Sequence, residues 1–256
     1  MSERALVFGT AAEAYERHRL GYPDAVADLT LGYARPPVAR ALEVGAGTGK
    51  ATRLFAGRDL RLTALEPDPA MAAVLRRTTA GPGVEVVVAT FEAYEALALP
   101  SEPYDLLVSA SAWHWTDPVG RWDRTVALLR PGGTVALFGS TATQLADEDL
   151  DAAVGAVERG TIADGPPVTS GRAPSGTWWP GSELEADARF ADVQEHDLAR
   201  VVRRTREEHL ATLGTLSAYL QLPTDVRARL LSEVGEQLPD EVDVDARVRL
   251  HLARRA

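Results

Sequence analysis

The chain has 256 residues, 45% of them hydrophobic, no cysteine and a formal net charge of −10. That composition suits a globular protein with an ample core, and it excludes disulfides, thiolate metal sites and a cysteine nucleophile. The acidic balance argues against general nucleic-acid binding, which uses a basic face.

The first elements are helical. Residues 11–19 form an amphipathic segment, and Asp24 is placed to cap a helix through Tyr33 that Pro36-Pro37 then ends. Strands are expected over 38–44, 60–65, 84–89, 104–109 and 134–139, with helices over 50–56, 69–78 and 118–129 between them. Gly81-Pro82-Gly83 and Arg130-Pro131-Gly132-Gly133 read as turns. Nearly continuous apolar strands alternating with helices imply a parallel α/β sheet covered on both faces, accounting for residues 38–140. Beyond it, 146–160 reads as helix, 164–181 is rich in Gly, Pro, Ser and Thr, and 193–202 suits a strand. Thr205 with Glu208 forms a capping box opening a helix to about Leu222, and 225–238 is a further helix. Val244, Ala246, Val248, Leu250 and Leu252 alternate, as a terminal strand would over 243–252. Arg200, Arg203, Arg204 and Arg206 read as a solvated strand end and helix start.

Leu42-Glu43-Val44-Gly45-Ala46-Gly47-Thr48-Gly49 places glycine at every second position after a strand. Glycine is needed there because the chain turns sharply and its backbone must approach a ligand closely. Glu66, ending the second strand, can accept hydrogen bonds from both hydroxyls of a ribose. A dinucleotide-binding loop would need Gly-x-Gly-x-x-Gly, and here the third glycine arrives one residue early. A phosphate-binding P-loop would need glycine at position 44 and Ser or Thr at 51, where Val44 and Ala51 stand.

Glu43-x-Gly45-x-Gly47-x-Gly49 instead resembles the first motif of class I S-adenosylmethionine-dependent methyltransferases. The likeness runs nearly the whole chain. Phe8-Gly9-x-x-Ala12-x-x-Tyr15-x-x-x-Arg19-x-Gly21-Tyr22-Pro23 resembles the lead-in of bacterial small-molecule members, Trp113-His114-Trp115 their His-Trp motif, and Arg130-Pro131-Gly132-Gly133 their turn before strand five. Residues 212–222, with Tyr219, resemble the helix these proteins place over the active site.

The resemblance implies a single domain with a Rossmann-like seven-stranded sheet, order 3-2-1-4-5-7-6 with the last strand antiparallel. In it, residues 1–37 are a helical lead-in, 38–140 the cofactor core, and 141–192 with 205–238 a helical substrate cap. It implies S-adenosyl-L-methionine as cofactor and S-adenosylhomocysteine as product. Glu43 then lies near the methionine amino group, and Gly45, Ala46, Gly47 and Gly49 pass under the cofactor. Glu66 and Pro67 hold the ribose, Thr90 and Phe91 line the adenine, Ser109 and Ala110 at the end of strand four also contact the cofactor, and Tyr15 and Arg19 anchor the methionine carboxylate. The family often has a more polar residue in place of Ser111 and usually a smaller one in place of Phe91.

Methyl transfer needs the nucleophile aligned within about 3–3.5 Å of the methyl carbon, and a base if the nucleophile carries a proton. His114 is the candidate base, the alternative being a histidine that holds its loop by backbone hydrogen bonds. His18, Tyr22, Trp113, His114, Trp178, Trp179 and Tyr219 are candidate substrate contacts, whereas Trp115 reads as core filler. Trp178-Trp179 would wall a planar pocket. The five histidines are scattered, so no metal site is expected. No run approaches about eighteen apolar residues, so no membrane span is expected. Met1-Ser2-Glu3-Arg4-Ala5 carries no signal-peptide pattern, so a cytoplasmic protein is expected, as monomer or homodimer.

The expected reaction is methyl transfer to an O or N nucleophile of a small molecule, a secondary metabolite with an aromatic or heteroaromatic ring. Two alternatives stay open: a methyltransferase fold that uses the cofactor for a non-methylating reaction such as cyclisation, and a cofactor-binding module without catalysis.

Overall fold

A computed structural model of the chain describes residues 8–35, 37–97, 102–140, 143–162 and 180–256. Ten strands form two sheets: β1 (Arg40–Val44), β2 (Arg61–Leu65), β3 (Val84–Val87), β4 (Tyr104–Ala110), β5 (Leu129–Ser140), β6 (Gln144–Leu145), β7 (Phe190–Leu198), β8 (Val201–Thr205), β9 (Glu241–Asp245) and β10 (Val248–Arg255). Seven build one sheet in the order β3-β2-β1-β4-β5-β10-β7. The first five run parallel, and β10 lies antiparallel to both β5 and β7. With β7 counted as sixth and β10 as seventh, this is the expected 3-2-1-4-5-7-6 order.

The sheet buries both faces. Leu106, Val108 and Leu250 pack on one side with Val26 and Phe55. Leu42, Leu107, Leu137 and Ala253 pack on the other with Trp113 and Leu128. Burial on both sides is why these strands read as near-continuous apolar runs.

A second sheet, β6-β9-β8, was not foreseen. The 243–252 run, expected as one strand, divides between the two sheets. Its apolar alternation is unbroken, but β9 pairs with β6 and β8 while β10 pairs with β5 and β7. Residues 193–202 divide the same way, into β7 and β8. Around β6 and β9 a second apolar core gathers Leu145, Val154, Leu213, Leu230 and Val234.

Arg130–Gly133 lies within β5 as an irregularity. Tyr104 pairs with Leu129 and Leu106 with Thr134, so the four residues between are looped out of the pairing. The capping box forms as expected, Glu208 N–H donating to Thr205 Oγ1 and Thr205 N–H to Glu208 Oε2. Its helix, however, ends at Leu213, and a separate turn spans Ser217–Leu220. Asp24 is itself in helical conformation and makes no side-chain cap bond to the helix Ala25–Tyr33. The helix Pro69–Thr78 is capped by Asp68, whose Oδ1 accepts from Ala70 and Met71 N–H at 2.8 and 3.1 Å. Among the described residues no helix is long and apolar enough to cross a membrane.

Candidate active site

Two cavities open at the carboxyl ends of β1, β2, β4 and β5, the usual ligand position of an open α/β sheet. The first is lined by Gly45, Gly47, Glu66, Pro67, Thr90 and Phe91, among others. The second, of about 420 Å³, lies beside it under the second core. Phe8, Tyr15, Ser111, Ala112 and Trp115 line both, so the cavities meet there.

The loop after β1 explains its alternating glycines. Gly45 and Ala46 N–H both donate to Leu65 O at 3.0 and 2.9 Å, which folds the loop tightly onto β2. Gly45, Gly47 and Gly49 take φ of 72°, 59° and 94°, a region that side chains rarely enter. At Gly45 a Cβ would lie 2.4 Å from Ala112 Cβ, so glycine is also required by close approach to the segment after β4.

Glu66 Oε2 accepts from Gly47 N–H and its Oε1 from Asp68 N–H, both at 2.8 Å. Burial pushes its carboxyl up to about 7. Glu43 is more extreme. It is buried in β1, among the described residues neither carboxylate oxygen makes a hydrogen bond of ordinary geometry, and burial, only partly offset by the nearby Thr52 hydroxyl, pushes its pKa up to about 8. A buried acid without a partner costs stability unless something supplies one.

Glu43 sets a pH dependence. In the folded state it keeps its proton to about pH 8, against an ordinary value of 4.5. The folded chain therefore binds the extra proton between those values, and stability is lost as pH rises through that window. Glu66 adds the same sign but ends near 7. Glu43→Gln is expected to flatten the remaining loss of stability between pH 7 and 8, measured by urea unfolding. A slope equal to that of the unsubstituted protein would exclude Glu43 as its source.

On the other wall, Arg19 follows the helix Ala12–His18. Its Nε donates to Thr215 Oγ1 at 2.8 Å, and its guanidinium lies 5.2 Å from the centroid of Tyr15. Among the described residues it pairs with no carboxylate, and burial lowers its pKa. Ser111, just after β4, holds φ 51° although it is not glycine, the kind of strained backbone that clusters at functional sites. Its N–H donates to Phe138 O, and its hydroxyl meets Tyr22 Oη at 2.9 Å.

The expected residues separate into groups. Tyr15, Gly45, Gly47, Glu66, Pro67, Thr90, Phe91 and Ala110 line the first cavity. Arg19, Ser109, Trp113 and His114 line the second, where Ser109 Oγ also donates to Val44 O and ties β4 to β1. Ala46 is buried in a core cluster with Leu75, and Gly49 faces the Pro69–Thr78 helix, where a Cβ would meet Leu75 at 2.8 Å. Tyr22 lines neither cavity but buttresses Ser111, and its ring stands edge-on to Phe138. The His18 side chain lines neither cavity; its carbonyl accepts from Arg204 and Thr212.

Tyr219 is a correction. Its helix breaks after Leu213, which turns the side chain into the second core, where its hydroxyl donates to Glu158 Oε1 at 2.7 Å. The two tryptophans after β4 exchange emphasis. Trp113 is buried against Phe91 and Trp122, whereas Trp115, expected as filler, faces both cavities and stands edge-on to Phe8. His114 stands on the rim, its ring 4.5 Å from Trp115, and desolvation lowers its pKa. Trp178 and Trp179 lie outside the described residues. Sequence reasoning missed Phe8, Gln144, Arg247, Arg249 and His251 on the second cavity. The signal was present as the polar face of the 243–252 alternation. Among the described residues no cluster is arranged to hold a metal ion.

Residues 42–137 match the family model described as a methyltransferase domain. An uncharacterised methyltransferase of Mycobacterium tuberculosis is 31% identical over 239 residues, spanning 92% of this chain and 87% of its own length. Among solved structures, a protein described as a type II methyltransferase from Anaeromyxobacter dehalogenans is 25% identical with TM-score 0.59, covering 92% of this chain and 96% of its own. The fold is also shared with a methyltransferase from Thiobacillus denitrificans in complex with S-adenosyl-L-homocysteine, at 14% identity and TM-score 0.52, covering 95% of this chain and 96% of its own.

Proposed function

This chain belongs to the S-adenosylmethionine-dependent methyltransferases, and from that premise we propose that it methylates an O or N nucleophile of a small molecule held in the second cavity. The observation that carries this reading is the shared wall of Phe8, Tyr15, Ser111, Ala112 and Trp115, where a donor in one cavity meets an acceptor in the other.

The residues present fit the cofactor. Glu43 lines neither cavity, but it lies one residue before Val44 and Gly45 of the first, and among the described residues its buried carboxylate makes no hydrogen bond of ordinary geometry, which leaves it open to an ammonium group. Arg19 is a guanidinium that pairs with no carboxylate among the described residues, as an amino-acid carboxylate requires. Glu66 has spent one acceptor site on each oxygen, which leaves capacity for two ribose hydroxyls. When bound, the cofactor supplies a methyl group on a positively charged sulfur. The chain contributes alignment: Ser111 and Ala112 form the wall at the junction, and Tyr22 and Gly45 hold them in place. Phe8, Trp115 and Phe138 offer apolar surface to a flat acceptor and exclude water from the junction.

Incubation with methyl-labelled cofactor and a panel of small acceptors tests the reading. Labelled product and S-adenosylhomocysteine should form one for one. Product formed without S-adenosylhomocysteine would identify a non-methylating reaction. Cofactor binding with no turnover of any acceptor class would favour a binding module.

A further inference from the structure

The second cavity has more positive charge than its own acids neutralise. Three guanidinium groups line it, Arg19, Arg247 and Arg249, against one carboxylate, Asp245. Arg247 is paired, with Asp197 at 3.0 Å and Asp245 at 3.6 Å. Arg249 is different. It is half-buried in β10, and among the described residues it makes no hydrogen bond or ion pair. Its cross-strand neighbour on β5 is Gly139, so no side chain there covers it, and its neighbour on β7 is Asp197, already held by Arg247. His251, two residues along the same face, is buried and kept neutral by burial, with Glu195 at 3.6 Å from Nδ1. A guanidinium half out of water with no anion is poised for a planar, bidentate anionic group.

The junction points the same way. None of the five side chains shared by the two cavities is an acid, a histidine or a lysine, so none can take a proton near neutral pH. His114 lines the second cavity beside that wall and is exposed. A nucleophile that must lose a proton is poorly served there, whereas one already ionised needs no base. A bound cofactor would bring a sulfonium to the first cavity, which Arg249 does not line, and that positive charge would disfavour a cationic amine and favour an anion in the adjoining cavity.

We infer that the acceptor is a small organic acid, that Arg249 holds a carboxylate of it, and that the product is a methyl ester. This rests on the small-acceptor reading above. A carboxylate oxygen forms the new O–CH₃ bond with a lone pair, and the C–S bond breaks with its electron pair left on sulfur. No proton moves, and neutral S-adenosylhomocysteine leaves with the ester. Trp115 and Phe138 take the apolar part of the acid, and Arg249 sets its orientation.

The test uses the full chain with S-adenosylhomocysteine bound, titrated by calorimetry and tryptophan fluorescence. The probes are aromatic and aliphatic mono- and dicarboxylates, their amides, primary amines of matching shape, and a phosphate monoester. Carboxylates should bind at least about tenfold tighter than the amides and amines. Arg249→Gln should remove that preference, and Arg249→Lys should restore part of it, while S-adenosylhomocysteine affinity stays within twofold. With labelled cofactor, the methylated product of the tightest acid should release methanol on alkaline hydrolysis, as an ester does. Equal binding of amines and acids, tighter binding of the phosphate ester, no binding of any acid, or an unchanged preference in Arg249→Gln each overturns the inference. Failure of the unsubstituted chain to bind S-adenosylhomocysteine would instead overturn the reading it rests on.

Discussion

Glu66→Ala should weaken S-adenosylhomocysteine binding by about a hundredfold or more. Each hydrogen bond to a charged carboxylate contributes about 1.5–3 kcal/mol, and in the proposed cofactor site two from the ribose would end on this one side chain. Glu66 also holds the backbone amides of Gly47 and Asp68 at 2.8 Å. Removing it therefore loosens the glycine loop as well, at a further cost of about 1–3 kcal/mol to folding for each buried amide left unpaired. Glu66→Gln keeps one acceptor oxygen and should weaken binding by only about tenfold. Calorimetry of all three proteins separates the effects, with far-ultraviolet circular dichroism confirming that each is folded. Binding within threefold of the unsubstituted protein for Glu66→Ala would show that the acid only braces the loop.

Gly45→Ala should damage both folding and turnover. The residue holds φ 72°, and its added Cβ would sit 2.4 Å from Ala112 Cβ. The left-handed backbone costs about 1–2 kcal/mol for a residue with Cβ, and overpacking about 1–3 kcal/mol more. For a chain of this size that lowers Tm by several degrees. The catalytic effect should be larger than the loss of stability. Ala112 can relieve the clash only by moving, and it lines both cavities. A displacement of about 1 Å there would cost on the order of a hundredfold in turnover. Gly81→Ala is the control, because nothing lies within 4 Å of a Cβ at Gly81 and its φ is not positive. Equal turnover in the two variants would sink the argument.

The parts of this site legible in the sequence are those built by neighbours along the chain. The spacing of Gly45, Gly47 and Gly49 encodes a loop whose three residues all need positive φ, and Glu66 follows within one βαβ step. The capping box at Thr205 and Glu208 is local in the same sense. What stayed hidden depends on which strand pairs with which. Arg249 and His251 could be placed on one face of a strand from their alternation, but only the pairing with β5 turns that face toward the cavity. Tyr219 was misplaced because Gly214, Thr215 and Leu216 break the helix, and Thr215 then serves Arg19. The expectation that Trp115 fills the core, when it lines both cavities, failed for a similar reason. Within a single helical turn, sequence does not say which of Trp113 and Trp115 is buried and which stays partly open.

The junction between β9 and β10 bears on how such enzymes change acceptors. Only Ala246 and Arg247 separate the strand that belongs to the small sheet from the one that carries Arg249. The link is pinned, with Ala246 N–H donating to Arg200 O and Ser140 Oγ to Ala246 O. The small sheet and the strand that carries Arg249 to the second cavity are thus one continuous ribbon rather than two replaceable parts. A foreign small sheet could be grafted on only by also choosing the residue at position 249, so if the cavity holds the acceptor as proposed, its shape and its charge would be inherited together.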